Sequence, residues 1–301
     1  SANAIAELIS HPLTTVLTTL ELAVPKLRGS LEELATAIQS CTQLERVVLH
    51  QCESNVPLLG LLPLISTLSE AQTLQSLAIE AAKFPEGDIM AQTFAKLVNI
   101  TSRLQKLELK QCVDLGDEEL VPLMRKLPPS LKQLKLSTGG FRCIAGHHNN
   151  GQSWGKGVVE ALALSLCQPT ATLTTLTVNA RNHDSNFSMM PLMLALKHNR
   201  SIHRLNLYHA SSAGTSLATE MSHILQTGQN NTLTHCNTLG VAFGSDEYRS
   251  ILFYTRLNQL QRDRLLQDGQ HWMTTLMEQS QDTRLVYYLL LNQPSRLPKT
   301  C

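Results

Sequence analysis

A six-residue pattern, Leu-x-x-Leu-x-Leu with aliphatic substitutes, returns along most of this chain at nearly constant spacing. It occurs at Leu17, Leu20 and Leu22, then at Leu44, Val47 and Leu49, then at Leu74, Leu77 and Ile79. Further copies are Leu104, Leu107 and Leu109, then Leu131, Leu134 and Leu136, then Leu173, Leu176 and Val178, then Ile202, Leu205 and Leu207. An eighth, weaker copy reads either Leu233, Cys236 and Thr238 or Cys236, Leu239 and Val241. First positions are separated by 27, 30, 30, 27, 42, 29 and 31 residues. A unit of that length cannot bury its apolar side alone, so successive units must stack into one continuous core.

The spacing inside each unit predicts its parts. Leu-x-Leu alternates with period two, the signature of a strand with one buried face. Between strands, apolar residues recur three and four apart, as in Leu31, Leu34 and Ile38, a stripe opened by Ser30 with Glu33 three residues on. Phe94 and Leu97 mark another stripe, and Leu217, Met221, Ile224 and Leu225 a third. Pro191 follows Ser188 where a helix should begin, a position that tolerates a missing N–H. Cys52 and Cys112 stand eight residues beyond Leu44 and Leu104, where the chain leaves the strand, and read as small residues packed in the inner turn.

Over residues 13–243 the chain resembles ribonuclease-inhibitor-like leucine-rich-repeat proteins. The resemblance implies an α/β solenoid, a horseshoe with a parallel concave sheet, outer helices and a C-terminal helical cap. It also implies binding of another protein along the concave face. The expected division is a solenoid of about eight repeats over residues 1–243, with a loop insertion near 137–157, and a helical cap over 244–301.

Composition agrees with a folded body: 43% of the 301 residues are hydrophobic and only 16% charged. A net charge of +1 steers the molecule toward neither nucleic acid nor anionic membrane. No apolar run reaches the ~18–20 residues of a bilayer span, so no direct membrane insertion is expected. Seven Cys at irregular spacing suggest reduced, mostly buried thiols and an intracellular reducing compartment, cytoplasm or organelle interior. Asn99, Asn186, Asn199 and Asn230 each open an Asn-x-Ser/Thr triplet, a pattern too common to establish secretion. The chain starts at Ser1 without a signal-peptide pattern, which fits an excised domain or a processed product.

Two segments depart from the period. The 42-residue interval carries about 13 extra residues, located in the glycine-rich stretch from Ser137 to Gly157. Phe141 and Trp154 within it are candidate partner-binding residues, or local anchors folded back on the body. Cys143, His147 and His148 lie close together, but a metal centre needs further ligands, so no metal and no cofactor is expected. From about Gly244 the repeat stops and aromatics concentrate. Ile251, Tyr254, Leu257 and Leu260 have helical spacing, and Trp272, Leu276, Leu285 and Leu289 lie in shorter helical segments. Capping the last open repeat is the expected role. This Phe-Tyr-x-x-Leu-Asn tail, with its Trp helix and Tyr-Tyr-x-Leu-Leu, resembles the tail of leucine-rich-repeat proteins common in unicellular algae.

Residues between the ladder positions should face the concave side. They yield the candidate partner-binding set Arg46, His50, Glu80, Lys106, Glu108, Lys110, Lys135, Arg204, Asn206 and Tyr208, including a basic patch at Lys106, Lys110 and Lys135. No Gly-x-Ser-x-Gly elbow, phosphate-binding Gly-Lys-Ser/Thr loop or His-Glu-x-x-His helix is present, so no catalytic residue is nominated. The expected function is a non-catalytic scaffold or adaptor for a protein of unknown identity. The alternatives are a structural subunit docked through the cap and a regulator that stimulates a partner GTPase.

Overall fold

The computed structural model describes residues 2–11, 16–23, 31–50, 61–80, 103–112, 117–138, 155–180, 188–209, 214–239, 245–279 and 281–292. Ser30, Cys52, the Phe94 and Leu97 stripe, and the loop residues Phe141, Cys143, His147, His148 and Trp154 lie outside these ranges.

Helix α1 (Ala2–Ser10) precedes strand β1 (Thr19–Ala23), followed by α2 (Leu31–Gln39), β2 (Arg46–His50), α3 (Leu61–Glu70) and β3 (Ser76–Glu80). The middle of the chain runs β4 (Lys106–Cys112), α4 (Asp117–Arg125), β5 (Gln133–Thr138), α5 (Lys156–Leu166) and β6 (Thr175–Ala180). It continues as α6 (Met190–Leu196), β7 (Arg204–His209), α7 (Gly214–Gln226) and β8 (His235–Leu239). Four helices close the described chain: α8 (Asp246–Gln259), α9 (Arg262–Gln267), α10 (Gly269–Glu278) and α11 (Thr283–Asn292).

The strands form one eight-stranded sheet in sequence order, every neighbouring pair parallel. Parallel neighbours require a crossover, which is why each unit spends its second half returning to the same edge. The register aligns two ladders across the sheet. One runs Leu20, Val47, Leu77, Leu107, Leu134, Leu176, Leu205 and Cys236. The other begins at Leu22, Leu49 and Ile79 and passes through Leu109, Leu136, Val178 and Leu207 to Thr238. The eighth repeat therefore takes the Leu233, Cys236 and Thr238 frame. Ladder side chains from Leu20 to Cys236 and from Leu22 to Leu207 pack with the buried stripes of the helices, including Leu34, Ile38, Met221, Ile224 and Leu225, in one continuous core. Helix α1, which lies ahead of the first repeat, adds Ala6 and Ile9 to it.

The junctions are as regular as the ladders. At each of the seven, one carbonyl of the earlier strand entry accepts from two successive N–H groups of the next: Thr18 from Glu45 and Arg46, Gln105 from Lys132 and Gln133, His203 from Thr234 and His235. The turns before the strands differ along the chain. Three residues ahead of Leu44 stands Cys41, with its Sγ near the Ala37 carbonyl. Three residues ahead of Ile202 and Leu233 stand Asn199 and Asn230, both buried. Asn199 Oδ1 accepts from the N–H of Ser201 and Ile202 while its Nδ2 donates to the Leu166 carbonyl one repeat back. Asn230 repeats this with Thr232, Leu233 and the carbonyls of Leu196 and Asn199. Asn258 on α8 extends the series by donating to the carbonyls of Asn230 and Leu233.

The glycine-rich stretch of the 42-residue interval ends at a defined point. The Asp117 carboxylate, at the start of α4, accepts from the N–H groups of Gly155 (2.6 Å), Gly157 (2.9 Å) and Val158 (3.4 Å), so one repeat holds the first turn of the next repeat's helix α5. A Cβ at Gly157 would sit 2.6 Å from that carboxylate, which explains glycine there.

Helix α8 lies against α7 and contributes Ile251 to the main core. A second cluster, Leu257, Leu265, Trp272, Leu285 and Leu289, belongs to the terminal helices alone, and Tyr254 touches both. Arg262 ties the two together. Its guanidinium donates to the carbonyls of Leu225 (2.6 Å) and Gln226 (3.0 Å) at the end of α7 and to the Tyr288 hydroxyl (3.0 Å), and it lies over the rings of Tyr254 and Tyr288. A cation at that position also meets the negative end of the α7 dipole.

Candidate functional site

The sheet face away from the apolar ladders carries three residues per strand, in register. Its middle row runs Glu21, Val48, Ala78, Glu108, Lys135, Thr177, Asn206 and Asn237. All ten candidate sheet residues lie on this face, but they do not form one kind of surface.

Over β1 to β4 the charged side chains other than the exposed Arg46 are tied to one another. His50 bridges two carboxylates, with Nε2 3.0 Å from Glu21 and Nδ1 3.0 Å from Glu80. Lys110 lies 4.0 Å from Glu80 and 2.8 Å from Glu108, and Lys106 approaches the other Glu108 oxygen at 2.6 Å. Glu108 is the hub. Burial opposes its ionisation, but hydrogen bonds and charge from Lys106 and Lys110 outweigh that and hold its carboxyl down at about 2. Val48 and Ala78 are buried here without joining the main core, so the side chains of this face cover them.

The patch that reads as basic in the sequence is therefore compensated: Lys106 and Lys110 both belong to Glu108. One linear sequence places these residues two apart on one strand, but only the side-chain conformations reveal that one carboxylate serves both. Lys135, the third member, makes no ion pair among the described residues.

Over β5 to β8 the face changes character. Gln133, Lys135 and Ser137 are followed by Thr175, Thr177 and Asn179, then by Arg204, Asn206 and Tyr208, then by His235 and Asn237. Asn206 Nδ2 donates to Thr177 Oγ1 across the strands at 3.1 Å. Arg204 and His235 are exposed, and Lys135, Asn206 and Tyr208 are half-buried.

Grooves elsewhere follow from the repeat. One of about 320 Å³ lies between Arg125–Leu131 and Ser165–Leu173, and a second of about 360 Å³ occupies the equivalent junction at Ile38–Thr42 and Thr67–Thr73. Recurrence at equivalent junctions marks them as products of stacking. No group of three or more His, Cys, Asp or Glu residues suited to a metal occurs among the described residues. Of the described thiols, Cys41 and Cys236 are buried and Cys167 is exposed. Burial pushes the Cys236 thiol up to about 12, which keeps it protonated.

Two structural roles escaped the linear pattern. Asn199 and Asn230 read as Asn-x-Ser/Thr triplets, yet in the fold both amides are buried in the inter-repeat hydrogen bonds. Their spacing of 31 residues, one repeat period, is the signal that would have found them. Arg262 carries no local signal, because its partners come from three separate helices.

No family model and no curated protein matches the chain. Among solved structures it is similar to leiomodin-1 actin-binding site 2, at 16% identity and a TM-score of 0.43, over 62% of this chain and 98% of that one. It is similar to the tropomodulin C-terminal domain of Caenorhabditis elegans, at 16% identity and a TM-score of 0.35, over 54% and 89% of the two chains. A chain of the yeast Rad7 and Elc1 complex matches at 15% identity and a TM-score of 0.49, over 85% of this chain and 68% of that one. The fold itself rests on the sheet: the chain is an α/β solenoid of the leucine-rich-repeat type, with eight parallel strands flanked by helices.

Proposed function

We propose that this chain is a non-catalytic scaffold that binds another protein through the polar face of its sheet and/or the 137–157 segment. One observation carries the reading. The main core lies on one side of the sheet, and the other presents ordered rows of mostly polar and charged side chains over eight strands. The period and the helices described between strands support the ribonuclease-inhibitor-like type. The unpaired thiols of Cys41, Cys167 and Cys236 support a reducing compartment. No helix among the described residues is long and apolar enough to cross a membrane.

The test is affinity capture from native extract followed by crosslinking and mass spectrometry. Crosslinks from Lys106, Lys110 or Lys135 to a partner support the reading. Crosslinks confined to 245–301 or 137–157 contradict binding through the sheet. Turnover of a substrate by the purified chain contradicts the non-catalytic part.

The second reading is a structural subunit docked through the terminal helices. It is favoured by the distribution of exposed large apolar side chains. Of the nine exposed large apolar side chains among the described residues, Leu252, Met273, Met277, Tyr287 and Leu291 belong to this segment, while Leu8, Val16, Leu164 and Leu194 lie apart, and Met273 with Met277 and Tyr287 with Leu291 are four apart on their helices.

A further inference from the structure

We infer that the β5–β8 half of the sheet face is a docking site for an acidic, extended segment of a protein partner. This deepens the sheet-face reading and rests on it. Along β1 to β4 the face carries three carboxylates, Glu21, Glu80 and Glu108, against three permanent cations, Arg46, Lys106 and Lys110. That half is neutral by its own residues, and each carboxylate has a partner on the face: the His50 ring lies 3.0 Å from both Glu21 and Glu80, and the lysines hold Glu108. Along β5 to β8 the described face positions hold Lys135 and Arg204 and no Asp or Glu. Neither cation has an ion pair among the described residues, since Glu108, beside Lys135 in the register, is held by Lys106 and Lys110. In a chain of net charge +1, this leaves a local excess of two positive charges for an outside partner to meet.

The geometry selects the partner's form. Lys135 is aligned with Thr177 and Asn206, and Arg204 stands two residues before Asn206 on β7. Two strand spacings and two residues of rise put the two backbones roughly 12 Å apart. Carboxylates three or four residues apart on an extended chain span about that distance. Between the cations lie Thr175, Thr177 and Asn206, whose hydroxyl and amide groups suit the N–H and C=O groups of a peptide main chain. Tyr208, half-buried beside them, offers a rigid amphipathic contact. Nucleic acid fits less well, since two cations and one aromatic fall short of the roughly 6–10 phosphate contacts that carry such binding.

The test uses the full chain and a fluorescein-labelled peptide of roughly twelve residues, neutral apart from two glutamates four positions apart, with a lysine-for-glutamate peptide as control. Fluorescence anisotropy at low salt should show binding of the acidic peptide and none of the basic one. Lys135→Gln with Arg204→Gln should weaken it roughly tenfold, while Glu21→Gln with Glu80→Gln should change it less than about twofold. Thermal unfolding of both double variants confirms that they are folded. Failure of the acidic peptide to bind, equal binding of the basic peptide, or indifference to the Lys135 and Arg204 changes overturns the inference. Tighter binding of a single-stranded oligonucleotide that those changes abolish overturns the choice of a peptide. A captured partner that crosslinks to Lys106 or Lys110 but is insensitive to the Lys135 and Arg204 changes leaves the sheet-face reading standing and removes this one.

Discussion

The two halves of the solenoid share a backbone and differ in almost everything laid upon it. The parallel register, with one shift at the end of β4, and the double-acceptor junctions recur from β1 to β8. Yet β1 to β4 present a self-neutralised network centred on Glu108, and β5 to β8 an acid-free row of amides, hydroxyls and two unmatched cations. The turns differ as well: Cys41 occupies the position where Asn199 and Asn230 stand later. The comparison separates what the solenoid requires from what it merely permits. The ladder side is shared because every repeat buries it; the other side is free to vary.

The largest effect should be common to both halves. Leu107→Asp and Leu205→Asp each place a carboxylate in the buried ladder and should cost about 4 kcal/mol or more. Urea unfolding that finds either variant close to wild type would contradict the register assigned to that half.

The turn positions should then separate the halves. Asn230→Ala strands a buried N–H at Leu233 and two buried carbonyls, an expected loss of about 3 kcal/mol. Cys41→Ala removes only a small buried thiol and should cost about 1 kcal/mol. Equal losses in parallel denaturation experiments would remove the distinction.

The charge network should matter less and be visible in acid. In the folded chain Glu108 is held at about 2, below its ordinary 4.5. Its contribution to stability is therefore present above about pH 4.5 and is lost as pH falls toward 2. Glu108→Gln should cost about 1 kcal/mol near neutral pH and flatten that part of the acid profile. An unchanged profile from circular dichroism in the variant would show that Glu108 is not the hub. The smallest effect is expected from Arg204→Gln, within about 0.5 kcal/mol in stability, because nothing in the described fold depends on its charge. A larger loss would mean that Arg204 is a structural residue and not a free one.

The helices show where linear reading succeeds and fails. Leu31, Leu34 and Ile38 lie within α2, and Leu217, Met221, Ile224 and Leu225 within α7, because an apolar stripe at helical spacing has one way to be buried. Gly155 and Gly157 read as part of an irregular loop, whereas they form the entry to α5 under the Asp117 carboxylate, a partner 38 and 40 residues away. Helix α1 falls ahead of the first motif, so repeat counting gives no reason to expect it.

By itself the sequence determined the one-sided strands, their order, their register and the solenoid they must build, since an alternation of period two repeated every 27–31 residues has one stacking that buries every ladder residue. Only the tertiary structure decided how charge is distributed on the opposite face, which buried amides bind one repeat to the next, and how Arg262 joins the last repeat to the terminal helices. Those outcomes depend on side chains that meet across strands and helices, and the spacing along a single chain does not encode their conformations.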